Sequence, residues 1–360
     1  MEPGRRLNQS RAAEATRIVV ARPLLLVVGL VAIAANLRGP FTGVAPILGT
    51  LESVFTLSPP AAGLLTTLPL LAFGIISPFA AAFARKWGLD RALFVALLLI
   101  AGGMIVRAIG VAWGLFLGTA ILAAGIAIGN VLLPSIVKRD FPTRVPTIMG
   151  ICAVAMGGGG AVLSAVAVPL EGAFGWRVAL AAALVLPLVG IVLWRRQLGA
   201  RGGGLAAAAA MPPGRQRVWR SGLAWQVTLF MGTNSLLYYV LIAWLPMILT
   251  AAGLSPSAAG SLHGLMQLAS AIPGLMLGAV VNRMKDQRLL AAAMGLLMGV
   301  ALVGFHVAIG WATLWAFCFG FGSGGGVLLA LMFMGLRTHN AHQAAALSGM
   351  AQCVGYLLAA

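Results

Sequence analysis

Charge is scarce in this sequence. Only 9% of its 360 residues are Asp, Glu, Lys or Arg, whereas 61% are hydrophobic. An ordinary soluble domain carries about 25% charged residues, so the composition excludes one and predicts a chain that crosses a membrane many times. Acidic residues are the scarcest, with 7 against 24 basic residues. None of the seven lies in the central part of an apolar run, so no carboxylate is available there to neutralise a cation.

Cysteine is also rare, and the sequence lacks the constellations that carry enzyme chemistry. Cys152, Cys318 and Cys353 all lie in apolar segments, without the spacing of metal ligands. We therefore expect neither a disulfide framework nor a metal site. The glycine-rich stretches that begin at Met156 and Phe319 lack the GK[ST] of a phosphate loop, and they favour close helix packing instead. We expect no cofactor.

Apolar segments dominate what is present. Each complete segment has the roughly 20 residues that a helix needs to cross a bilayer, which predicts an all-α polytopic membrane protein. The predicted spans are 23–52, 59–84, 90–109, 112–137, 146–170, 175–194, 222–250, 256–281, 288–308, 310–336 and a last one from about 343. We expect the sequence to stop inside this eleventh helix.

The basic residues follow an alternating pattern along these spans. Of the 24 Lys and Arg, 21 lie in the tail 1–22 or in every second loop. By the positive-inside rule, this predicts a cytoplasmic N-terminus and cytoplasmic basic loops. The same pattern explains the net charge of +17 without a nucleic-acid partner. The longest loop, 195–221, is rich in Gly, Ala, Pro and Arg and is predicted to be a flexible cytoplasmic linker.

The N-terminus also has the pattern of a signal peptide. Five Arg precede the apolar run that starts at Leu24, and the AIA of Ala32–Ala34 has the form of a cleavage site. Because hydrophobicity resumes after Arg38 and many spans follow, a retained first helix is the simpler interpretation.

Three sequence blocks recur in the same order along the chain. LSPPAAG from Leu57 returns as LSPSAAG from Leu254, GNVLLP from Gly129 as GGVLLA from Gly325, and APIL from Ala45 within LPMIL. The offsets are 197, 196 and about 200 residues. Six spans separate the copies, so both copies have the same orientation. This predicts a parallel repeat of two six-helix bundles, 23–194 and 222–360, as in major facilitator transporters. The second bundle would be incomplete, with helices 7–11.

Arg38 is the most unusual residue of the first span. It lies about fifteen residues from each end of the span, where an Arg costs about 2.5–3.5 kcal/mol and cannot reach the interface. Pro40 follows and cannot donate to the carbonyl of Asn36, so we expect a kink there. The interpretations are an anion site between the halves or a structural contact of Arg38 with freed carbonyls.

Other polar side chains are candidates for the same cavity. Tyr238 stands at the mirror position of Arg38, at an offset of 200, and Asn234 shares its helix face. For each one the alternative is an interhelical hydrogen bond. The predicted substrate-binding set is Arg38, Asn36, Asn130, Asn234, Tyr238 and Gln267.

A second set is predicted to gate the pathway or to handle protons. Arg107, near the outer end of the third span, would snorkel to the surface or act in a gate, and Trp244 precedes Pro246 at the outer mouth. His263 lies four residues from Gln267, and packing is the alternative for Trp244. The set is Arg107, Trp244, His263, Gln352 and Tyr356.

Four stretches are distinctive: NLRGPFTGVAPIL, GNVLLPSIVKRDFP, LAWQVTLFMGTNSLLYYVLIAWLPMIL and ALSGMAQCVGYLLAA. They resemble the cyanate and 2-nitroimidazole transporter family of the major facilitator superfamily. The resemblance implies a twelve-helix permease of the bacterial inner membrane with a cytoplasmic N-terminus and a small solute. One departure stands out: the facilitator motif G-x3-D-x2-G-R-K keeps Gly88 but has Arg85 in place of the acid.

Together these features predict alternating-access transport of a small anion or a small polar solute, cyanate-like or nitroimidazole-like, by a monomer in the lipid bilayer. With no membrane carboxylate, a uniporter, or a symporter whose proton is carried by the solute or by His263, fits best. The alternatives are a major facilitator efflux pump, which needs an acidic residue in the cavity, and a membrane-embedded enzyme of lipid or cell-wall precursors. A structural or scrambling protein fits the two-half repeat less well.

Overall fold

The computed structural model describes residues 23–200 and 218–360, and these residues fold into helices and turns without strands. The predicted tail 1–22 and residues 201–217 of the predicted linker lie outside the described residues. The helices are α1 (Pro23–Asn36), α2 (Gly39–Thr42), α3 (Leu48–Phe55), α4 (Pro59–Trp87), α5 (Leu89–Ala108), α6 (Ala112–Asp140), α7 (Val145–Phe174), α8 (Trp176–Ala182), α9 (Val185–Ala200), α10 (Gly222–Ala251), α11 (Pro256–Arg283), α12 (Arg288–Val307), α13 (Ala312–Leu336) and α14 (Ala341–Ala359).

Every predicted span has a helical counterpart. In the described ranges, 9 helical spans are long and apolar enough to cross a membrane when α1 is counted with α2 and α8 with α9. The count is 10 with α10, which bends by 52° between Ile242 and Trp244. The exception is α14, whose 19 residues form a helix at the predicted place but include His342 and Gln352. Its polar side chains lower the hydropathy that identifies the other spans.

Two spans predicted as continuous are broken. The range 23–52 forms α1, α2 and the start of α3, with breaks beside Pro40 and Pro46. The kink expected at Pro40 is therefore confirmed. The range 175–194 forms α8 and α9, since Pro187 has no N–H for the carbonyl of Ala183. The helix α9 continues to Ala200, into the predicted linker 195–221, which stays a prediction.

The repeated LSP block has the same structural role in both copies. Ser58 precedes α4 with φ −69° and ψ 154°, and Ser255 precedes α11 with φ −65° and ψ 151°. In each copy a proline follows within the first turn, where its missing N–H leaves no helical hydrogen bond unmade. The sequence repeat thus marks equivalent helix starts, whereas the division into bundles 23–194 and 222–360 stays a prediction.

The helices of the two parts pack closely at one end of the molecule. We call it the basic end; it carries the connections at Gly88, 141–144, 284–287 and 337–340. There α7 contacts α11, and α4 contacts α14. A methyl group placed on Gly278 would lie 2.9 Å from the carbonyl oxygen of Pro146, and one on Gly349 would lie 2.9 Å from that of Ser77. Such distances require glycine.

Three glycines toward the opposite end of these helices have no close neighbour among the described residues. A methyl group on Gly63 of α4, Gly172 of α7, or Gly260 of α11 would meet no described atom within 4 Å. The side chain of Asn282 also donates a hydrogen bond to the hydroxyl of Thr147 at the basic end. The pairs α7–α11 and α4–α14 are therefore in backbone contact at the basic end, and we call the space between these helices beyond those contacts the cleft.

Candidate functional site

Arg38 lies at the break between α1 and α2. Its backbone, with φ −128° and ψ −42°, is not helical and immediately precedes α2. The Nη2 of this partly buried guanidinium donates to the hydroxyl of Tyr238 on α10 over 2.6 Å. The predicted juxtaposition of Arg38 and Tyr238 across the repeat is therefore confirmed.

The hydroxyl of Tyr238 extends this contact to a third helix. It donates to the Oε1 of Gln267 on α11 over 2.8 Å while it accepts from Arg38. The guanidinium carbon also lies 5.7 Å from the centre of the Tyr238 ring, within the range of a cation–π contact. Arg38, Tyr238 and Gln267 thus form one hydrogen-bonded chain that joins α1–α2, α10 and α11.

Aromatic rings surround this chain on one side. The Tyr238 and Tyr239 rings are 5.2 Å apart, and the Tyr239 and Tyr356 rings are 6.3 Å apart. Phe73 of α4 lies 5.1 Å from the Tyr356 ring. All 3 tyrosines of the sequence are therefore in one place. The Arg38 cluster consists of Arg38, Tyr238, Gln267, Tyr239, Tyr356 and Phe73.

No acid balances Arg38 in the described part of the chain. There the carboxylates lie toward helix ends or in a loop, as with Asp90 at the start of α5 and Asp140 at the end of α6. Within residues 23–200 and 218–360 none comes within 4.0 Å of the guanidinium. Among the described residues, Tyr238 is also the one hydrogen-bond acceptor of the Arg38 side chain. Because a guanidinium has five N–H donors, the others can bind an anion.

Three predicted binding residues do not join the cluster. The fully buried Asn36 donates to the carbonyl of Ala32 over 2.8 Å, and its amide nitrogen faces Gly190 of α9. The amide of Asn234 donates to the carbonyl of Ser323 on α13 over 3.2 Å. Asn130 is buried in α6, and no hydrogen bond connects it to the described residues of the cluster.

The predicted gating residues fall into different settings. Tyr356 belongs to the cluster, and His263 is one turn from Gln267, with its Nε2 buried and unpartnered within the described residues. Gln352 is fully buried and donates to Ser348 of its own helix over 2.8 Å. Trp244 is half exposed beyond the bend of α10.

The prediction that Arg107 snorkels to the surface is wrong. Its side chain is only 2% exposed, and Nη1 donates to the carbonyl of Pro40 over 3.2 Å. The close approach of α6 to α5 leaves the side chain inside the bundle. The sequence also gave no sign of Phe73, one of 15 phenylalanines, because no pattern distinguishes a ring beside a cleft from one in the core.

Comparison with known sequences places this geometry in context. A family model described as Major Facilitator Superfamily matches residues 24–360. The chain is 50% identical to a 2-nitroimidazole transporter of Escherichia coli (strain K12), over 94% of this chain and 86% of that protein. It is 31% identical to the cyanate transport protein CynX of the same strain, over 92% of this chain and 86% of that protein.

The fold also matches a solved structure. The proton:xylose symporter XylE of E. coli superimposes with a TM-score of 0.74 at 14% identity. The match covers 93% of this chain and 86% of the symporter. At this identity the likeness establishes the fold alone.

Proposed function

Because the chain belongs to the major facilitator superfamily and moves a small solute by alternating access, we propose that its solute is a small anion or a small polar heterocycle bound at Arg38. The chain is a multi-pass membrane transporter and not an enzyme, so the membrane-embedded enzyme is no longer an alternative.

One observation carries the proposal. The guanidinium of Arg38 lies between the helices and donates to a neutral hydroxyl, with no carboxylate within 4.0 Å in the described part of the chain. A charged side chain at this depth costs about 2.5–3.5 kcal/mol. A bound anion would offset that cost through charge-assisted hydrogen bonds, which are roughly twice as strong as neutral ones.

The surrounding rings and the relatives support a small, flat solute. The relatives are named for 2-nitroimidazole and for cyanate, one a ring and the other a small anion. Tyr239, Tyr356 and Phe73 offer apolar faces beside the Arg38 donors. Tyr238 and Gln267 would orient the polar atoms of the solute, and the aromatic faces would pack against its plane.

We further propose that the basic end lies in the cytoplasm of a bacterium and that the chain is a monomer in the inner membrane. The distribution of Lys and Arg supports this orientation. With the basic end closed, the cleft opens outward, which is one of the two states that alternating access requires. Arg38 and Tyr238 come from the same chain, so the site needs no second copy.

The test is uptake into proteoliposomes of purified wild type and Arg38→Gln. We use labelled cyanate and labelled 2-nitroimidazole, each over a range of concentrations. We expect saturable uptake by the wild type and at least a tenfold loss in Vmax/KM for Arg38→Gln, because glutamine has no charge to hold the anion. The matched control is Arg177→Gln, since Arg177 is exposed and its guanidinium lies 5.4 Å from the Trp176 ring, away from the cluster.

Undiminished saturable uptake by Arg38→Gln would refute the role of Arg38. If neither solute is carried by the wild type, the two named solutes are wrong; direct uptake of a panel of labelled small carboxylates and azoles then tests the anion class. Failure of the whole panel would refute the class.

A further inference from the structure

The geometry points to Arg107 as the residue that positions Arg38. Arg107 lies on α5, does not touch Arg38, and acts on the backbone of the turn that carries it. The inference rests on the proposed function insofar as Arg38 binds the solute, and it can be tested separately.

The hydrogen bonds of the broken turn leave one carbonyl without a local donor. The carbonyl of Arg38 accepts the N–H of Thr42, and that of Gly39 accepts the N–H of Gly43. The next donor in this series, the N–H of Val44, bonds instead to Phe41 over 3.4 Å. The carbonyl of Pro40 is therefore left without the helical partner four residues later.

Arg107 supplies the missing donor from another helix. Its Nη1 lies 3.2 Å from the carbonyl oxygen of Pro40, and its side chain is 2% exposed. An unpaired buried carbonyl costs about 1–3 kcal/mol, and a bond from a charged donor is among the stronger ones in a protein. The cation also stands at the C-terminal end of α2, where the helix dipole favours positive charge.

The backbone of Arg107 lies in close contact with α6. A methyl group on Gly118 of α6 would lie 2.4 Å from the backbone nitrogen of Arg107, and one on Gly103 would lie 2.4 Å from that of Leu122. The two glycines let the backbones of α5 and α6 come into contact beside Arg107. The guanidinium of Arg107 thus reaches the carbonyl of Pro40 from a closely packed pair of helices.

The second copy of the repeat lacks both members of this contact. At an offset of 200, Pro40 corresponds to Val240, and at an offset of 197, Arg107 corresponds to Gly304. There α10 passes the mirror position, Tyr238, without a break and bends only after Ile242. The buried arginine is present in the copy that has the proline, which supports a specific pairing over general packing.

The two arginines therefore have different roles. Arg38 has free donors that face the cleft, whereas Arg107 keeps the turn from Arg38 to Pro40 in the conformation that directs those donors. Without Arg107 the carbonyl of Pro40 would seek another donor, and the turn would shift. A shift of the turn would raise the KM for the solute more than it lowers Vmax, since the helices that move during transport keep their own contacts.

The experiment compares Arg107→Met, Arg107→Lys, and the matched control Arg177→Met in the proteoliposome assay, with the solute carried by the wild type. We expect Arg107→Met to raise KM about tenfold, Arg107→Lys to recover at least half of that loss because lysine also donates, and Arg177→Met to match the wild type. In a Pro40→Ala background, the N–H of residue 40 can bond to the carbonyl of Asn36 and the helix can continue through the turn. The carbonyl of residue 40 can then accept the N–H of Val44 instead of Arg107, so Arg107→Met should change KM less than threefold.

A second readout does not depend on transport. The rate at which phenylglyoxal modifies Arg38, followed by mass spectrometry of each purified variant, reports how the side chain is held. We expect this labelling rate to change severalfold in Arg107→Met and to stay unchanged in Arg177→Met, even if the proposed solutes are wrong. If Arg107→Met leaves the rate of phenylglyoxal labelling of Arg38 unchanged, the positioning role is overturned. It is also overturned if Arg107→Met changes KM equally in the wild type and in the Pro40→Ala background. Failure of the proposed function alone would abolish the uptake difference and leave the labelling difference intact.

Discussion

At the residue scale, Tyr238 accepts a hydrogen bond from Arg38 but does not neutralise its charge. Its hydroxyl accepts one hydrogen bond from the guanidinium and donates another to the Oε1 of Gln267. A neutral hydroxyl contributes no counter-charge, so a solute anion would bind more strongly at the same donors. We therefore expect Tyr238 to keep these donors oriented without competing strongly with a solute anion for them.

Removal of this hydroxyl should weaken binding. In Tyr238→Phe the bonds to Arg38 and Gln267 are both lost, and we expect KM to rise about tenfold, as for a hydrogen bond to a charged group. Tyr239→Phe is the control, because its ring is 5.2 Å from the Tyr238 ring while its hydroxyl makes no hydrogen bond with the described residues. Initial uptake rates over a range of solute concentrations give KM and Vmax for each variant. Equal KM values for the two variants would contradict the role of the Tyr238 hydroxyl.

At the scale of elements, a charge pair joins α5 and α6 at the basic end. Arg139 donates to both oxygens of Asp90 over 2.7 and 2.9 Å, and it also contacts Asp140. The indole of the buried Trp194 on α9 donates to the carbonyl of Asp90 over 3.0 Å. Although the facilitator motif lacks its acid after α4, charge pairing is retained here between the next two helices.

This pair should contribute to stability through its geometry as well as its charge. Arg139→Lys keeps the charge but loses the two-point contact, so we expect a lower thermal unfolding midpoint in detergent by a few degrees. Arg144→Lys is the control, because Arg144 is exposed at the start of α7. The midpoint is followed by the fluorescence of a thiol-reactive dye. If both variants unfold at the same temperature, the pair is only a surface contact.

At the scale of the whole molecule, glycines determine which end is closed. Gly150 and Gly278 bring α7 and α11 together at the basic end, since a methyl group on Gly150 would lie 3.1 Å from the carbonyl oxygen of Gly274. Toward the opposite end, Gly63, Gly172 and Gly260 meet no described atom within 4 Å. The described state is therefore stabilised by backbone contacts at one end of the cleft.

A larger side chain at this contact should shift the balance between states. Gly278→Leu would clash with the carbonyl of Pro146, so we expect the basic end to open and Vmax to fall at least tenfold. Gly172→Leu, at a position where no described atom lies within 4 Å, should leave both the closed basic end and Vmax unchanged. Distances between spin labels at positions 144 and 283 report the opening. An unaltered distance distribution in Gly278→Leu would contradict the assignment of this contact as the closed gate.

The sequence by itself determined the spans, the kink at Pro40 and the meeting of Arg38 with Tyr238. Hydropathy suffices for the spans because the bilayer imposes a single length and polarity on each one. The repeat suffices for Arg38 and Tyr238 because symmetry-related positions face each other across the cleft. These features follow from local sequence or from a constant offset.

Only the tertiary structure decided the contacts that neither hydropathy nor the repeat offset determines. Arg107 reaches Pro40 across 67 positions, and the amide of Asn234 bonds to Ser323 across 89. Asn36 is two residues from Arg38, yet it faces the bundle interior, because successive residues of a helix point in different directions. Helix rotation and the close approach allowed by glycine decide which side chains meet, and neither is encoded in the hydropathy of one segment.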